Sequence, residues 1–353
     1  MSAGFIQDLQ AILHSPYIAL IVLVALVFDF VNGFHDAANS IATVVGTRVL
    51  RPLQAVVWAA WWNFAAAWSF GVFVANTVAK WVVADYVTSD VILAGLVGAI
   101  AWDLITWWVG LPTSSSHALL GGFAGAAMTH AQKLSGVVHI DKLKITLAFI
   151  VIAPLIGLVL GLILLTALLW VFREALPSKM DRWFRVVQLG SAAAYSYGHG
   201  MNDAQKTMGI IAALLYATIW KSQQAAFESG RVAFPFWIVL ACQLAIALGT
   251  VAGGWRIVKT MGMRITKLRP YDGACAETAA AISLFVAARL GVPVSTTHTI
   301  TGAIVGVGTA HRVSAVRWGI ARQVVVAWVL TIPMSAIMAA LVYYAMRGIG
   351  LIR

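Results

Sequence analysis

Residues 32–39 read Asn-Gly-Phe-His-Asp-Ala-Ala-Asn and residues 199–206 read His-Gly-Met-Asn-Asp-Ala-Gln-Lys, so Gly, Asp and Ala recur at matched places. Each stretch lies inside an otherwise apolar run. A charge at bilayer depth costs about 2.5–3.5 kcal/mol even on lenient insertion scales, so Asp36 and Asp203 each need a partner or a purpose. Glycine beside short polar side chains weakens a helix, which predicts discontinuous helices at Asn32-Gly33 and at Gly200. Beyond the first break, Asp36, Asn39 and Thr43 are spaced to share one helical face.

The surrounding composition sets the class. Of 353 residues, 61% are hydrophobic and 10% charged, far too apolar for a soluble fold to hide. Recurrent uncharged stretches near the length a helix needs to cross hydrocarbon predict membrane helices rather than barrel strands. The net charge of +11 does not indicate a nucleic-acid binder, because Lys and Arg sit in short connections. Cys242 and Cys275 lie in apolar segments without metal-ligand spacing and read as packing residues. No resident metal or other cofactor is expected. The stretch before Tyr17 has no Lys or Arg, so the first apolar segment is expected to stay in the mature protein.

Apolar runs fall at 17–47, 53–76, 91–110, 112–130 and 145–173, then at 185–220, 234–257, 273–291, 293–310 and 318–346. The two series imply an N-terminal repeat (1–173), a polar cytoplasmic linker (174–184) and a C-terminal repeat (185–353). A second motif supports the duplication: Pro112-Thr113-Ser114-Ser115-Ser116-His117 with Gly121 and Gly125 matches Pro293-Val294-Ser295-Thr296-Thr297-His298 with Gly302 and Gly306. Five segments per half would invert the second copy. Charge agrees in part, since loop 76–90 holds one Lys against two Asp while loop 256–269 is basic. Loop 131–144, with Lys133, Lys142 and Lys144, disagrees. The expected fold is an all-α polytopic membrane protein of two inverted-topology repeats with discontinuous helices and about 10–12 transmembrane segments.

Proline followed by hydroxyl residues is helix-start chemistry, with free N–H groups at the positive end of a helix dipole. Two such starts, Ser114-Ser115-Ser116 and Ser295-Thr296-Thr297, therefore suit a phosphate-like anion. His117 and His298 read equally as ligands or as core histidines. Glu277 is an intramembrane acid expected to line the path. Asp29 is placed to orient Asn32, and Asp103, with no counterpart in the second half, reads as local. The paired glycines predict close helix packing. A hydrolase built on Ser116 and His117 is disfavoured, because neighbours on a helix point about 100° apart.

With these residues in place, the chain resembles the inorganic phosphate transporter (Pit) family over essentially its full length, and its bacterial low-affinity branch most of all. The resemblance rests on a G-x-N-D-x-x-N-type signature in each half, here Gly33 to Asn39 and Gly200 to Lys206. It implies secondary active uptake of inorganic phosphate through a bacterial inner membrane. The carboxyls of Asp36 and Asp203, with Glu277, would serve the coupling cation, and the hydroxyl clusters with Asn39, Asn202 and Lys206 would hold the anion. Two departures bear on the coupling ion: His35 and Lys206 each stand where the pattern has Asn. Lys206 either neutralises Asp203 or meets phosphate, and it spoils an all-oxygen sodium site in that half. A histidine titrates near neutral pH, so a proton is expected before sodium. Sulfate or another tetrahedral oxyanion, a sodium-coupled symporter and a channel remain the alternatives. The sequence is also compatible with a homo-oligomer.

Overall fold

The structure, a computed structural model, describes residues 3–69, 71–223 and 234–352. Among these residues are thirteen α-helices and no strand, and one isolated bridge joins Val82 to Val138. The first seven helices are α1 (Ala3–Leu13), α2 (Pro16–Gly46), α3 (Pro52–Ala65), α4 (Phe73–Ala79), α5 (Ser89–Val109), α6 (Ser115–Ala131) and α7 (Ile140–Val171). The rest are α8 (Pro177–Thr218), α9 (Phe236–Ala252), α10 (Trp255–Lys259), α11 (Pro270–Leu290), α12 (Thr296–His311) and α13 (Trp318–Gly348). Each of the ten apolar runs appears as helix. The apolar-run reading passed over α1, whose Asp8 accepts the indole N–H of Trp220 at 2.9 Å and of Trp237 at 3.1 Å.

Two expectations about the backbone are corrected. Helices α2 and α8 run unbroken through the signatures, without the interruptions predicted at Asn32-Gly33 and Gly200. The glycines serve approach instead. A Cβ on Gly33 would lie 2.1 Å from the Ile246 carbonyl oxygen of α9, and one on Gly200 would lie 2.5 Å from the Asn63 carbonyl oxygen of α3. The helical breaks of this fold lie one segment later in each half, where α3 with its terminal turn meets α4 at 84° and α9 meets α10 at 61°. The linker is also shorter than expected. Helix α8 starts at Pro177, because proline lacks the N–H that a first helical turn leaves unpaired.

By length and apolarity, α2, α5, α7, α11 and α13 can cross a membrane, or seven spans if each bent pair counts as one. Helices α6 and α12, of 17 and 16 residues, reach only about 25 Å and fall short of a full crossing. Each instead closes a hairpin with the helix before it. Gly110 and Gly291 end α5 and α11 at φ 75° and 66°, a conformation costly for any residue with a Cβ. Outward apolar side chains such as Leu155, Val159 and Ile163 of α7 suit lipid contact, since a helix satisfies its own backbone groups.

Packing is crosswise between the halves. Helix α7 lies against α12, where a Cβ on Gly302 would come 2.1 Å from the Pro154 carbonyl oxygen. Helix α13 lies against α6, where a Cβ on Gly121 would come 2.5 Å from the Ile332 carbonyl oxygen. Two three-helix bundles result, α5–α6–α13 and α11–α12–α7, around a middle layer of α2, α3, α8 and α9. The first turns of α6 and α12 thereby reach the carboxylates of α2 and α8.

Candidate functional site

Ser114 and Ser295 are the caps of α6 and α12, each accepting the backbone N–H three residues on at 3.2 Å. That geometry releases the next hydroxyls toward the middle layer. Ser115 donates to Asp36 Oδ1 at 3.4 Å and Thr297 to Asp36 Oδ2 at 3.4 Å. Thr296 donates to Asp203 Oδ2 at 3.1 Å. Asn39 Nδ2 donates to Thr297 Oγ1 at 2.9 Å and Thr296 Oγ1 at 3.5 Å, so it fastens the second hairpin to α2. Asp36 is 2% exposed and Asp203 0%, so the centre is closed from water on both sides.

Lys206 is buried beside them with three acceptors: Asp203 Oδ1 at 2.5 Å, Ser116 Oγ, and the Val294 carbonyl at 3.1 Å. Of its two expected roles, neutralisation of Asp203 is the one this closed arrangement displays. One ammonium therefore joins both hairpins to α8. His199 lies with Nε2 3.2 Å from Asp203 Oδ2 and Nδ1 3.1 Å from Asn63 Oδ1. No metal site was expected, yet Asp36, His199 and Asp203 each bring a ligand atom within 4.8 Å of the others, a spacing a cation can use.

On the other side of Asp36, His35 Nδ1 lies 2.7 Å from Oδ1, and Nε2 faces the hydroxyls of Thr106 at 3.2 Å and Thr113 at 3.3 Å. Thr106 turns its hydrogen back to the carbonyls of Trp102 and Asp103, and Thr113 donates to Thr106 at 2.9 Å. Both oxygens thus offer lone pairs to Nε2, which carries a hydrogen. The contact between Nδ1 and the carboxyl then needs a second proton on that edge, held by either atom.

Other expected residues stand apart. Asn202 directs its amide to the carbonyls of Gly198 at 2.8 Å and Leu284 at 3.1 Å, away from the hydroxyl cluster. Glu277 is held by Gln188 at 3.0 Å and Ser191 at 2.5 Å. Asn32 is buried with its side-chain oxygen unpartnered, and Asp29 accepts from Thr207 at 2.9 Å with the Asn32 side chain also beside its carboxyl. The His117 and His298 rings meet edge to face at 4.9 Å, and His298 stacks on Trp328 at 4.0 Å. They form the packed seam where the two hairpins meet.

Sequence reading passed over Asn63, Gln188 and Gln205. The signal was present, since each is a neutral amide within a long helix. Gln205 accepts the N–H groups of Val74 and Ala75 at 3.0 and 3.2 Å, so it caps the helix that follows the first bend.

Two crossed hairpins that deliver hydroxyl groups and helix starts to a pair of buried acids between apolar helices define a multi-pass membrane transporter. The comparisons give the family. The model of the phosphate transporter family matches residues 32–339, and the chain belongs to that family. It is 54% identical to a probable low-affinity inorganic phosphate transporter of Rhizobium meliloti, over 96% of this chain and 98% of that one. It is 44% identical to a protein of the same name from Bacillus subtilis, over 94% and 97%. A solved structure described as the sodium-dependent phosphate transporter, 24% identical, has the same fold with a TM-score of 0.78, over 94% of this chain and 99% of the other. The relatives bear transporter names, in keeping with a protein that is not an enzyme.

Proposed function

We propose that this protein imports inorganic phosphate together with protons across the bacterial inner membrane by alternating access. Relatives named for phosphate support the substrate. The hydroxyls of Ser115, Ser116, Thr296 and Thr297, with Asn39 and the two helix starts, are the donors that would receive the anion when Asp36 and Asp203 give them up. Lys206 brings an ammonium to the centre and would pass from Asp203 toward phosphate as the anion enters.

The observation that carries proton coupling is the 2.7 Å contact of His35 with Asp36, on a ring whose other nitrogen meets two hydroxyl oxygens. Such a dyad holds one exchangeable proton. With it, the two carboxylates, the ammonium of Lys206 and the shared proton sum to neutrality, which suits a centre sealed from water. Releasing that proton to one side leaves a net negative site that rejects phosphate until it reloads, and this couples the two fluxes.

The test is phosphate uptake by the purified protein in proteoliposomes under separately imposed pH and sodium gradients. Uptake should follow the pH gradient, and Asp36→Asn should abolish it while the protein remains inserted. Uptake driven by sodium alone at constant pH would refute proton coupling. Unlabelled sulfate competing as well as phosphate would refute the substrate.

A further inference from the structure

Asp103 is a buried acid to which the mechanism above gives no role. It lies on α5 at 0% exposure, and neither carboxyl oxygen has a hydrogen-bond donor among the described residues. An ionised carboxylate left so dry and unpaired costs several kcal/mol, so this position demands a proton or a use. Its place suggests the use. Asp103 precedes Thr106 by three residues, hence shares its helix face, and its carbonyl takes the Thr106 hydroxyl at 3.1 Å. That is the hydroxyl facing His35 Nε2.

Ser115 supplies the connection. Its hydroxyl donates to Asp36 at 3.4 Å, a long and easily exchanged bond, and lies near enough to Asp103 to turn toward it. Among the described residues the titratable groups acting on Asp103 are His35 and Asp36, both from α2. The matched position in the second half is Leu284, so the feature belongs to one half only.

We propose that Asp103 is a second proton-carrying carboxyl of the coupling path, exchanging its proton with the His35–Asp36 dyad through Ser115. The transfer balances. The O–H bond of Asp36 breaks as Ser115 accepts that hydrogen, and the former hydroxyl hydrogen of Ser115 forms the new O–H bond on Asp103. Reversal reloads the dyad. Because the position matched to Asp103 is Leu284, this exchange runs along the α5–α6 hairpin.

This rests on the proton-coupled reading above, so the full-length wild-type protein is measured first. A wild type indifferent to the pH gradient would overturn that reading, and this inference with it, before any variant is made. Given a pH-driven wild type, Asp103→Asn should lower pH-driven net uptake about tenfold or more, the scale of a lost proton-transfer group. Exchange of labelled for unlabelled phosphate at equal pH needs no net proton movement and should persist, which also reports a folded protein. Asp103→Glu should recover part of the net uptake. Net uptake at the wild-type level in Asp103→Asn would overturn the proposal. So would loss of both exchange and net uptake in Asn and Glu variants alike, which marks a packing role.

Discussion

Replacing Lys206 with Met keeps most of the side-chain volume but removes the ammonium that Asp203, Ser116 and Val294 share. Breaking a buried ion pair by deleting one partner costs about 3–5 kcal/mol, because the remaining charge has no solvent. Asp203 has one escape, which is to bind a proton. Holding an ordinary carboxyl neutral at pH 7 costs about 4 kcal/mol, and this sets the ceiling on the loss. The folded variant then keeps a proton that the unfolded chain releases, so the deficit grows as pH rises, by about 1.4 kcal/mol per unit. For a chain of this size 1 kcal/mol corresponds to about 2 °C, so Tm should fall by about 8 °C at pH 7 and by about 2–3 °C at pH 5. The fifteen tryptophans make intrinsic fluorescence during heating of the detergent-purified protein a ready readout. Asp203→Asn combined with Lys206→Met should recover most of the loss at pH 7. A Lys206→Met protein as stable as wild type at pH 7, or a deficit that does not change between pH 5 and 8, would refute the assignment of Lys206 as the compensating charge.

Gly33→Ala and Gly200→Ala should each destabilise the protein by about 1–3 kcal/mol, since the new methyl meets backbone rather than a yielding side chain. Gly190→Ala, with nothing within 4 Å of its Cβ, should leave Tm unchanged or raise it slightly. At the caps, Ser114→Ala and Ser295→Ala should each cost about 1 kcal/mol while the Gly variants cost a few tenths, an order opposite to helix propensity. Thermal unfolding of the four cap variants checks this directly.

Much of the fold was legible because membrane helices announce themselves by apolar length. The hydroxyl clusters and both signature acids do meet, which matched spacing in two halves implied. Three things were hidden. Gly33 and Gly200 look like helix breakers in one dimension, and only the carbonyl opposite each shows that they permit contact. Lys142, counted in a loop whose charge opposed the expected orientation, donates to the carbonyls of Thr77 at 3.2 Å and of Lys80, so it closes the end of α4. Charge counting cannot separate such a capping lysine from one that sets orientation. Asp103 seemed local because it lacks a twin, whereas the structure sets it beside the His35–Asp36 dyad.

The crosswise bundles separate the order of the genetic message from the order of mechanical parts. A hairpin gripped by the closing helix of the opposite half cannot travel with its own half, so under the alternating access proposed above each moving body is assembled from both halves of the chain. Severing the chain before Pro177 would leave α6 without α13 and α12 without α7. Neither fragment then holds a complete three-helix bundle, so each would expose the seam that the other covers.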